Sequence, residues 1–317
     1  MIELSNVTKI YARTPAVQSL SFHVKKGEVL GFLGRNGAGK TTTMNIMTGY
    51  ISKTGGDVIV DGFDLSKNPS EVKKRIGYLP ENPPLYPDMT VTEYLTFVCS
   101  LRNIRKPGVR HEIERVMKIV HVEDVKGRPI RNLSKGYRQR VGIAQALISS
   151  PEYVLLDEPT IGLDPVQIVE IRSLIQSLKN HSTVILSSHI LGEIAQVCDR
   201  VVIIHKGKLM AQNSIEELLK AARDKSRLIL RIKSNKKAIE KVLTGTEMTF
   251  VCLGEQESGT LDYMVEAHEK IDLREILFSR ISAAKLVLLE MRSQTFSLED
   301  VFLQIIDEQR DCEGADQ

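Results

Sequence analysis

Short, nearly unbroken apolar runs recur along the chain up to about residue 205. They lie at residues 28–33, 76–79, 153–156 and 182–188. Runs of this length without alternation are typical of strands that are buried on both faces of a parallel sheet. Segments with apolar residues at helical spacing separate them, including residues 41–47, 112–120, 141–148 and 165–178. The alternation of these two patterns predicts an α/β fold.

The first 62 residues carry a different pattern as well. Residues 2–7 and 20–24 predict antiparallel strands, with Tyr11 in a loop between them. Residues 55–62 predict a further short strand between glycine-containing turns. The sequence therefore predicts an antiparallel β subdomain beside the parallel sheet.

A long segment from Thr90 to about residue 149 is mostly helical by pattern. Thr90, followed three residues later by Glu93, has the form of a capping box. Ser134 is a plausible N-cap of the last helix in the segment, since serine accepts hydrogen bonds from the first turn. We therefore expect a helical subdomain at about residues 83–150.

Beyond residue 220 the order of elements changes, and no catalytic constellation is recognisable. The pattern predicts strand, helix, strand, strand, helix, strand, which is the order of a ferredoxin-like split unit. The predicted elements are residues 228–232, 238–243, 249–253, 261–267, 273–281 and 285–291, followed by a helix at 297–306. We expect one domain at residues 1–220 and a small α+β accessory domain at 221–317.

The composition excludes several classes of protein. The chain has 317 residues, 42% hydrophobic and 26% charged, which is typical of a globular protein in water. No apolar run is long enough to span a bilayer, and the start lacks the form of a signal peptide. A net charge of +3 is too small to indicate a nucleic-acid partner. The four cysteines have no metal-like or redox spacing, so we expect a reducing cytoplasm.

A phosphate-binding loop at residues 34–42 is the most specific feature of the sequence. It follows the pattern of glycine, four residues, then Gly-Lys-Thr, between a predicted strand and a predicted helix. Glycines let backbone N–H groups approach phosphate oxygens without hindrance from a Cβ atom. Lys40 supplies a positive charge to the β- and γ-phosphates, and the Thr41 hydroxyl can ligate Mg²⁺.

Two adjacent carboxylates follow the buried run at 153–156. Buried carboxylates cost several kcal/mol unless they are paired or bound to metal. Asp157, at a strand end near a phosphate loop, is the natural partner of Mg²⁺. Glu158 would then point elsewhere, where it could polarise an attacking water.

Four further residues each allow two interpretations. Tyr11 could stack on adenine or be an ordinary loop tyrosine, and Ser134 could bind phosphate or only cap its helix. Glu81 follows a strand, where open α/β sheets place ligand groups, but it could be a solvated carboxylate. His189, after another strand, could be structural or catalytic.

Together these landmarks resemble the ATP-binding subunit of ABC transporters over about residues 1–220. The motifs that carry the resemblance are the Walker A loop at 34–42, the signature loop at 133–137, Walker B at 154–158, the D-loop at 163–164 and the switch histidine at 188–189. Several ordered motifs at these spacings make the resemblance highly specific. It implies a P-loop NTPase of the ABC type.

The resemblance implies a role for each matching residue. ATP would be bound by Tyr11, stacked on adenine, and by Gly34, Arg35, Asn36, Gly37, Ala38, Gly39, Lys40, Thr41 and Thr42. Glu158 would be the general base, His189 the sensor of the γ-phosphate, and Lys40 the third catalytic group. Mg²⁺ would be held by Thr41 and Asp157.

The resemblance also implies that two copies close over two ATP molecules. The signature-loop residues Ser134, Lys135, Gly136 and Tyr137 would cover the ATP of the partner subunit, and Asp164 belongs to the D-loop. We therefore expect a homodimer, or a heterodimer with a related ATPase.

Two motifs depart from the family pattern. The signature usually has the sequence Leu-Ser-Gly-Gly-Gln, but here Lys135 and Tyr137 replace a glycine and the glutamine. Glu81 stands where the family has a glutamine that senses Mg²⁺, water and the membrane partner. A glutamate can still bind metal or accept a hydrogen bond from water, although it adds a negative charge.

Residues 297–302 resemble a C-terminal motif of ABC-2-type export ATPases. The resemblance therefore implies a cytoplasmic ATPase at the inner face of the cell membrane that drives separate integral membrane permease subunits, with no nucleic-acid partner. The alternative is a soluble regulatory ABC-type ATPase without a role in transport.

Overall fold

The computed structural model divides the chain into two compact units, Met1–Ile215 and Glu216–Gln317. It describes residues 1–224, 226–244, 248–257, 259–267, 272–294 and 300. The helix predicted at residues 297–306 and the motif at 297–302 lie outside the described residues, apart from Asp300.

The strands of the first unit form two sheets. In chain order they are β1 (Ile2–Tyr11), β2 (Thr14–Val24), β3 (Val29–Leu33), β4 (Gly55–Val60), β5 (Phe63–Asp64), β6 (Ile76–Leu79), β7 (Tyr153–Asp157), β8 (Thr183–Ser188), β9 (Arg200–His205) and β10 (Lys208–Ser214).

The central sheet has six strands in the order β10-β9-β3-β8-β7-β6. The five strands from β9 to β6 are parallel, and β10 pairs with β9 as an antiparallel hairpin. Every residue of β3, β7 and β8 is buried. The parallel strands predicted from the unbroken apolar runs are therefore confirmed.

A second sheet of four antiparallel strands has the order β2-β1-β4-β5. Its apolar residues share one core with β3, β7 and β8. The prediction that Tyr11 lies in a loop is wrong, because β1 continues to Tyr11, which pairs with Thr14. The hairpin is tighter than the sequence indicates, and Ala12 accommodates the turn with a φ of 54°.

Helices cover the parallel sheet and form the segment between β6 and β7. They are α1 (Lys40–Met47), α2 (Pro69–Arg75), α3 (Val91–Leu101), α4 (Lys106–Val120), α5 (Lys135–Leu147), α6 (Pro165–Leu178) and α7 (Leu191–Val197). The next helix along the chain, α8 (Ile215–Asp224), belongs to the second unit except for its first residue. Two short 3₁₀ helices, Glu123–Val125 and Ile130–Asn132, lie between α4 and α5.

Side-chain caps fix where three of these helices begin. Thr90 and Glu93 form the predicted capping box at the start of α3. The Ser134 hydroxyl accepts a hydrogen bond from the Tyr137 backbone N–H at 3.3 Å, which caps α5. Asp164 caps α6 by accepting from the backbone N–H of Gln167 at 2.9 Å. Each cap satisfies an N–H group that has no partner within its helix.

The second unit contains the predicted order of strands and helices. Its elements are β11 (Ser226–Lys233), α9 (Lys236–Leu243), β12 (Met248–Glu257), β13 (Thr260–Ala267), α10 (Leu273–Ala283) and β14 (Val287–Gln294). The strands form an antiparallel sheet in the order β12-β13-β11-β14. Apolar residues of α9 and α10 pack with one face of this sheet.

None of the helices among the described residues combines the length and the apolar character that a bilayer-spanning helix needs.

Close packing of β6 against the end of α5 generates a prediction about stability. A Cβ atom at Gly77 would lie 1.9 Å from the backbone carbonyl oxygen of Ala146. Since backbone must shift to relieve this overlap, Gly77→Ala should lower the free energy of unfolding by about 1–3 kcal/mol. Urea denaturation of the full chain measures the change.

Gly108→Ala is the matched control. Gly108 is exposed in α4, and an added Cβ would make only an ordinary contact, 3.6 Å from Ile104 Cγ2. Alanine favours a helix, so this variant should be as stable as the wild type or more stable by up to about 1 kcal/mol. Equal urea midpoints for the two variants would contradict the packing argument.

Candidate functional site

The loop between β3 and α1 has the backbone that phosphate binding requires. Gly37 and Gly39 have φ angles of 79° and 103°, in the left-handed region that glycine tolerates. A Cβ atom at Gly39 would lie 2.6 Å from the carbonyl oxygen of Ala16. Gly39 precedes α1 and provides no side-chain cap. The N–H groups of the first turn are therefore free of side-chain capping and suited to an anion.

The turn between β9 and β10 supports this loop from outside. The Gly207 backbone N–H donates to the carbonyl oxygen of Ala38 at 2.9 Å. The Gln18 backbone N–H donates to the carbonyl oxygen of Gly207 at 2.8 Å. The side-chain amide of Gln18 donates to the backbone carbonyl oxygen of Lys206 at 3.0 Å. The loop is thus hydrogen-bonded to a segment far away in the chain.

Lys40 extends into the loop and is only 6% exposed. Its Nζ donates to the carbonyl oxygen of Gly34 at 2.7 Å and lies 3.1 Å from Oε1 of Glu158. A buried ammonium needs such oxygen partners to remain charged. The lysine of the predicted phosphate loop therefore lies directly beside Glu158, which the sequence also indicates as a candidate functional residue.

Asp157 is completely buried at the end of β7. Burial raises the pKa of its carboxyl, and hydrogen bonds from Ser187 and Thr41 oppose that rise. The Ser187 hydroxyl donates to Oδ1, whereas Oδ2 is buried and has no hydrogen-bond partner among the residues that the structure describes. This buried oxygen beside the Thr41 hydroxyl fits a small divalent cation.

No group of three or more His, Cys, Asp or Glu residues in the described part of the chain could enclose a metal ion. Mg²⁺ is usually bound by one or two protein groups together with phosphate oxygens and water. Thr41 and Asp157 would supply those protein groups.

Glu158 has a backbone conformation that is uncommon for a glutamate, with a φ of 48°. Its backbone N–H donates to the Ser187 hydroxyl at 2.9 Å, which helps to hold this conformation. Its Oε2 lies 2.9 Å from Nδ1 of His189.

His189 follows β8 directly, and its side chain is 38% exposed. Because β7 and β8 are adjacent parallel strands, in register at Asp157 and Ser187, the residues after them meet at one edge of the sheet. The sequence placed His189 at a strand end, and the structure brings it into contact with Glu158.

A cavity of about 320 Å³ is lined by Lys40 and Glu158 but, among the residues that the structure describes, not by Asp157 or His189. Its lining combines the phosphate loop, the Walker B glutamate and the loop after β6, namely Ala16, Asn36, Gly37, Gly39, Lys40, Thr41, Thr42, Glu81, Glu158 and Ile161. Glu81, two residues beyond the end of β6, therefore faces the same space as Lys40 and Thr41. The predicted position of Glu81 at a ligand-binding edge is consistent with this placement.

The signature-loop residues lie elsewhere. Within the described residues, none of the four lines the cavity that holds Lys40. Tyr137 donates through its hydroxyl to Oδ2 of Asp124 at 2.8 Å. Gly136 packs so closely against Gln167 that a Cβ would lie 2.8 Å from its side chain. Lys135 borders a separate cavity of about 550 Å³, which Glu81 also lines.

Tyr11 also lies outside the lining of the phosphate cavity, as judged from the described residues. The ring is 48% exposed, and the Lys9 ammonium lies 5.0 Å from its centre. An exposed ring at the end of a strand can accept a stacked base. The stacking of Tyr11 on adenine, which the resemblance implies, therefore stays a prediction.

Three residues of the site region escaped the sequence analysis as separate candidates. Ser187 hydrogen-bonds both Asp157 and Glu158, and Thr160 donates to a buried carboxylate of Glu193. A serine at the end of an unbroken apolar strand is one signal that could have found Ser187. Nothing local distinguishes Thr160 or Glu193, since their contact joins segments 33 residues apart.

The parallel sheet, the glycine loop before α1 and the buried carboxylates after β7 define a P-loop nucleotide-binding protein. Residues 17–161 match the family model described as ABC transporter. The chain belongs to the ABC transporter family as one of its ATP-binding proteins, an ATPase. The resemblance inferred from the motifs is confirmed.

Similar proteins extend over different shares of the chain. The bacitracin transport ATP-binding protein BcrA of Bacillus licheniformis is 39% identical over 241 residues, covering 75% of this chain and 77% of that protein. The uncharacterized ABC transporter ATP-binding protein YcbN of Bacillus subtilis is 32% identical over 315 residues, covering 96% and 97%. The dimeric structure of MJ0796, a bacterial ABC transporter cassette, matches at 26% identity with a TM-score of 0.62, covering 68% of this chain and 99% of that one.

The raised pKa of Asp157 generates a prediction about stability in the absence of nucleotide and metal. Asp157→Asn should raise the free energy of unfolding at pH 7 by about 0.5–2 kcal/mol, because it removes a buried charge that has an unpartnered oxygen. Below the unfolded-state pKa of about 4, the wild-type carboxyl is protonated in both states, so the difference should disappear there. Between those limits the folded state holds the proton more tightly, so wild-type stability falls relative to the variant as the pH rises.

Urea denaturation at several pH values in chelator tests this expectation. Asp88→Asn is the control, since Asp88 is 81% exposed and pairs with Arg131 at the surface. That substitution should change stability by less than about 0.5 kcal/mol. A wild-type protein that is more stable than Asp157→Asn at pH 7 would contradict the argument.

Proposed function

We propose that this chain hydrolyses ATP as the peripheral subunit of an ABC-2-type exporter and so drives a separate integral membrane permease. One observation carries the proposal: Lys40 and the carboxylate of Glu158 line a single cavity, and His189 contacts that carboxylate. These are the groups that binding and hydrolysing a nucleoside triphosphate require.

Binding of ATP uses the loop at residues 34–42. The loop N–H groups and the Lys40 ammonium take the phosphates, and Tyr11 stacks on the adenine. Thr41 and Asp157 would hold Mg²⁺, which would neutralise charge on the phosphate oxygens. The free buried oxygen of Asp157 supports this assignment.

Hydrolysis proceeds by in-line attack of water on the γ-phosphorus. As the oxygen of the water forms a bond to the γ-phosphorus, Glu158 takes a proton from that water. The bond between the γ-phosphorus and the β–γ bridging oxygen breaks, and ADP is released. Lys40 stabilises the negative charge that moves to the phosphates. His189, held through Nδ1 by Glu158, presents its other ring nitrogen to the γ-phosphate. Glu81 lies in the same cavity and accepts a hydrogen bond from water or contacts the metal.

Two copies of the chain complete each site. Ser134, Lys135, Gly136 and Tyr137 cover the ATP of the partner subunit, with Ser134 and Gly136 nearest the phosphate. Their separation from the cavity of their own chain supports this arrangement. Asp164 caps the helix that follows the D-loop and so shapes the surface near the contact between copies. The partner is a second copy or a related ATPase.

The membrane partner is one or more permease subunits, and this chain acts at the cytoplasmic face of the membrane. Support comes from similar proteins whose names include bacitracin transport. The permease selects the cargo. A regulatory ATPase without a transport role is the alternative, and it differs in having no membrane protein partner.

The assignment of the base predicts the behaviour of Glu158→Gln. The amide keeps the size of the side chain but cannot accept the proton, so the rate of hydrolysis should fall by at least about a hundredfold. ATP should still bind and stabilise a dimer, because the phosphate loop is unchanged. Phosphate release measures hydrolysis, and light scattering with and without ATP measures dimerisation.

Glu152→Gln is the matched control at the opposite end of the same strand. Glu152 is 48% exposed and pairs with Lys26 at 3.0 Å. This variant should hydrolyse ATP at the wild-type rate. Near-normal hydrolysis by Glu158→Gln would exclude Glu158 as the base.

The transport role predicts a membrane partner. Tagged Glu158→Gln protein, incubated with ATP and detergent-solubilised membranes of its native cell, should retain at least one protein with several membrane spans. The same membranes passed over resin without the tagged chain are the control. Recovery of soluble proteins alone would favour the regulatory ATPase.

A further inference from the structure

Glu193 is a buried carboxylate for which the proposed reaction has no use. It lies in the first turn of α7, and the residue is 6% exposed. Within the described residues it does not line the cavity that contains Lys40. Burial of a carboxylate is costly unless hydrogen bonds or charges compensate, so its contacts should have a structural or functional purpose.

Three side chains compensate the carboxylate. The Thr160 hydroxyl donates to Oε2 at 2.7 Å, and the Ser188 hydroxyl lies 3.4 Å from the same oxygen. The Arg172 guanidinium lies 3.6 Å from Oε1. Hydrogen bonds to a charged group in a buried site are stronger than neutral ones.

The positions of these partners connect Glu193 to the catalytic pair. Thr160 is two residues beyond Glu158, and Ser188 directly precedes His189. One carboxylate oxygen therefore contacts both of the segments whose side chains meet at the 2.9 Å contact between Glu158 and His189. The Ser188 hydroxyl also accepts from the Ile190 backbone N–H at 3.0 Å, on the far side of the histidine.

We propose that Glu193 is a positioning residue that holds Glu158 and His189 in their mutual geometry through Thr160 and Ser188. The proposal rests on the catalytic roles proposed above for Glu158 and His189. Glu193 acts through these two neighbours and, within the described residues, lies outside the cavity that contains Lys40.

The backbone of Glu158 explains why such a brace is needed. A φ of 48° is disfavoured for glutamate and persists only where the surroundings enforce it. The Ser187 hydroxyl fixes one side through the Glu158 backbone N–H, and Thr160 fixes the other through Glu193. Loss of the second contact lets the segment relax, and displacement of a reacting group by about 1 Å can cost up to a hundredfold in rate.

Thr160→Val is the sharpest test, because it removes the hydroxyl and keeps the shape of the side chain. In the full-length protein, kcat for ATP hydrolysis should fall by about tenfold or more, while KM for ATP stays within about twofold. Thr160→Ser retains the hydroxyl and should restore kcat to near the wild-type value. Glu193→Ala should lower kcat at least as much as Thr160→Val.

Thr183→Val is the control for loss of stability alone. Thr183 is buried at the other end of β8, and its hydroxyl accepts from the Gly27 backbone N–H at 2.9 Å. This variant loses a buried hydrogen bond far from Glu158. It should also lower the urea midpoint, yet leave kcat unchanged.

The outcomes separate the two proposals. Wild-type kcat in Thr160→Val, or an equal loss of kcat in Thr183→Val, would overturn the role of Glu193 while leaving the reaction mechanism intact. The same holds if Thr160→Ser fails to restore activity. Wild-type hydrolysis by Glu158→Gln and His189→Ala would instead overturn the catalytic assignment and the positioning role with it.

Discussion

Burial of opposite charges at one edge of the central sheet is the constraint around which the first unit is built. Lys40, Asp157 and Glu158 are all nearly or completely buried, although isolated charges in such places are very costly. The ammonium and the glutamate partly compensate each other at 3.1 Å, whereas one oxygen of the aspartate has no partner among the described residues. The fold thus keeps an electrostatic cost in place at the site where the chain binds nucleotide.

The sheet makes this arrangement possible. Parallel strands end at a common edge, so residues distant in sequence come together without long loops. The three fully buried strands β3, β7 and β8 carry the lysine loop, the two carboxylates and the histidine into one place. Apolar packing beneath this edge stabilises the fold and offsets the free-energy cost of the buried charges.

Much of this fold could be predicted from the sequence, because the signals are local. Unbroken apolar runs indicated the parallel strands, and Thr90 and Ser134 indicated where two helices begin. The glycine loop and the paired carboxylates indicated the site. The predicted extent of the first two strands was wrong, since Tyr11 ends a strand rather than lying in a loop. Register in a hairpin depends on pairing and turn geometry more than on the residues of one strand.

The contacts of Glu193 could not be predicted, because a short turn of helix gives no sign of what it packs against. The role of the signature loop could not be tested for a different reason. Within the described residues, its side chains do not line the cavity of their own chain. The structure of a single chain therefore does not contain the ATP of a second subunit that they are proposed to cover.

The hydrogen bonds between the phosphate loop and the turn at Lys206 and Gly207 also limit how this chain can diverge. Hairpin turns at a surface usually tolerate insertions. Here the Gly207 backbone donates a hydrogen bond to Ala38 and accepts one from Gln18. The turn must keep its length for both hydrogen bonds to form. An added residue at this point would leave strand pairing intact and still displace the loop that binds phosphate. Natural variation in the length of this turn should therefore be far narrower than is usual for a hairpin turn.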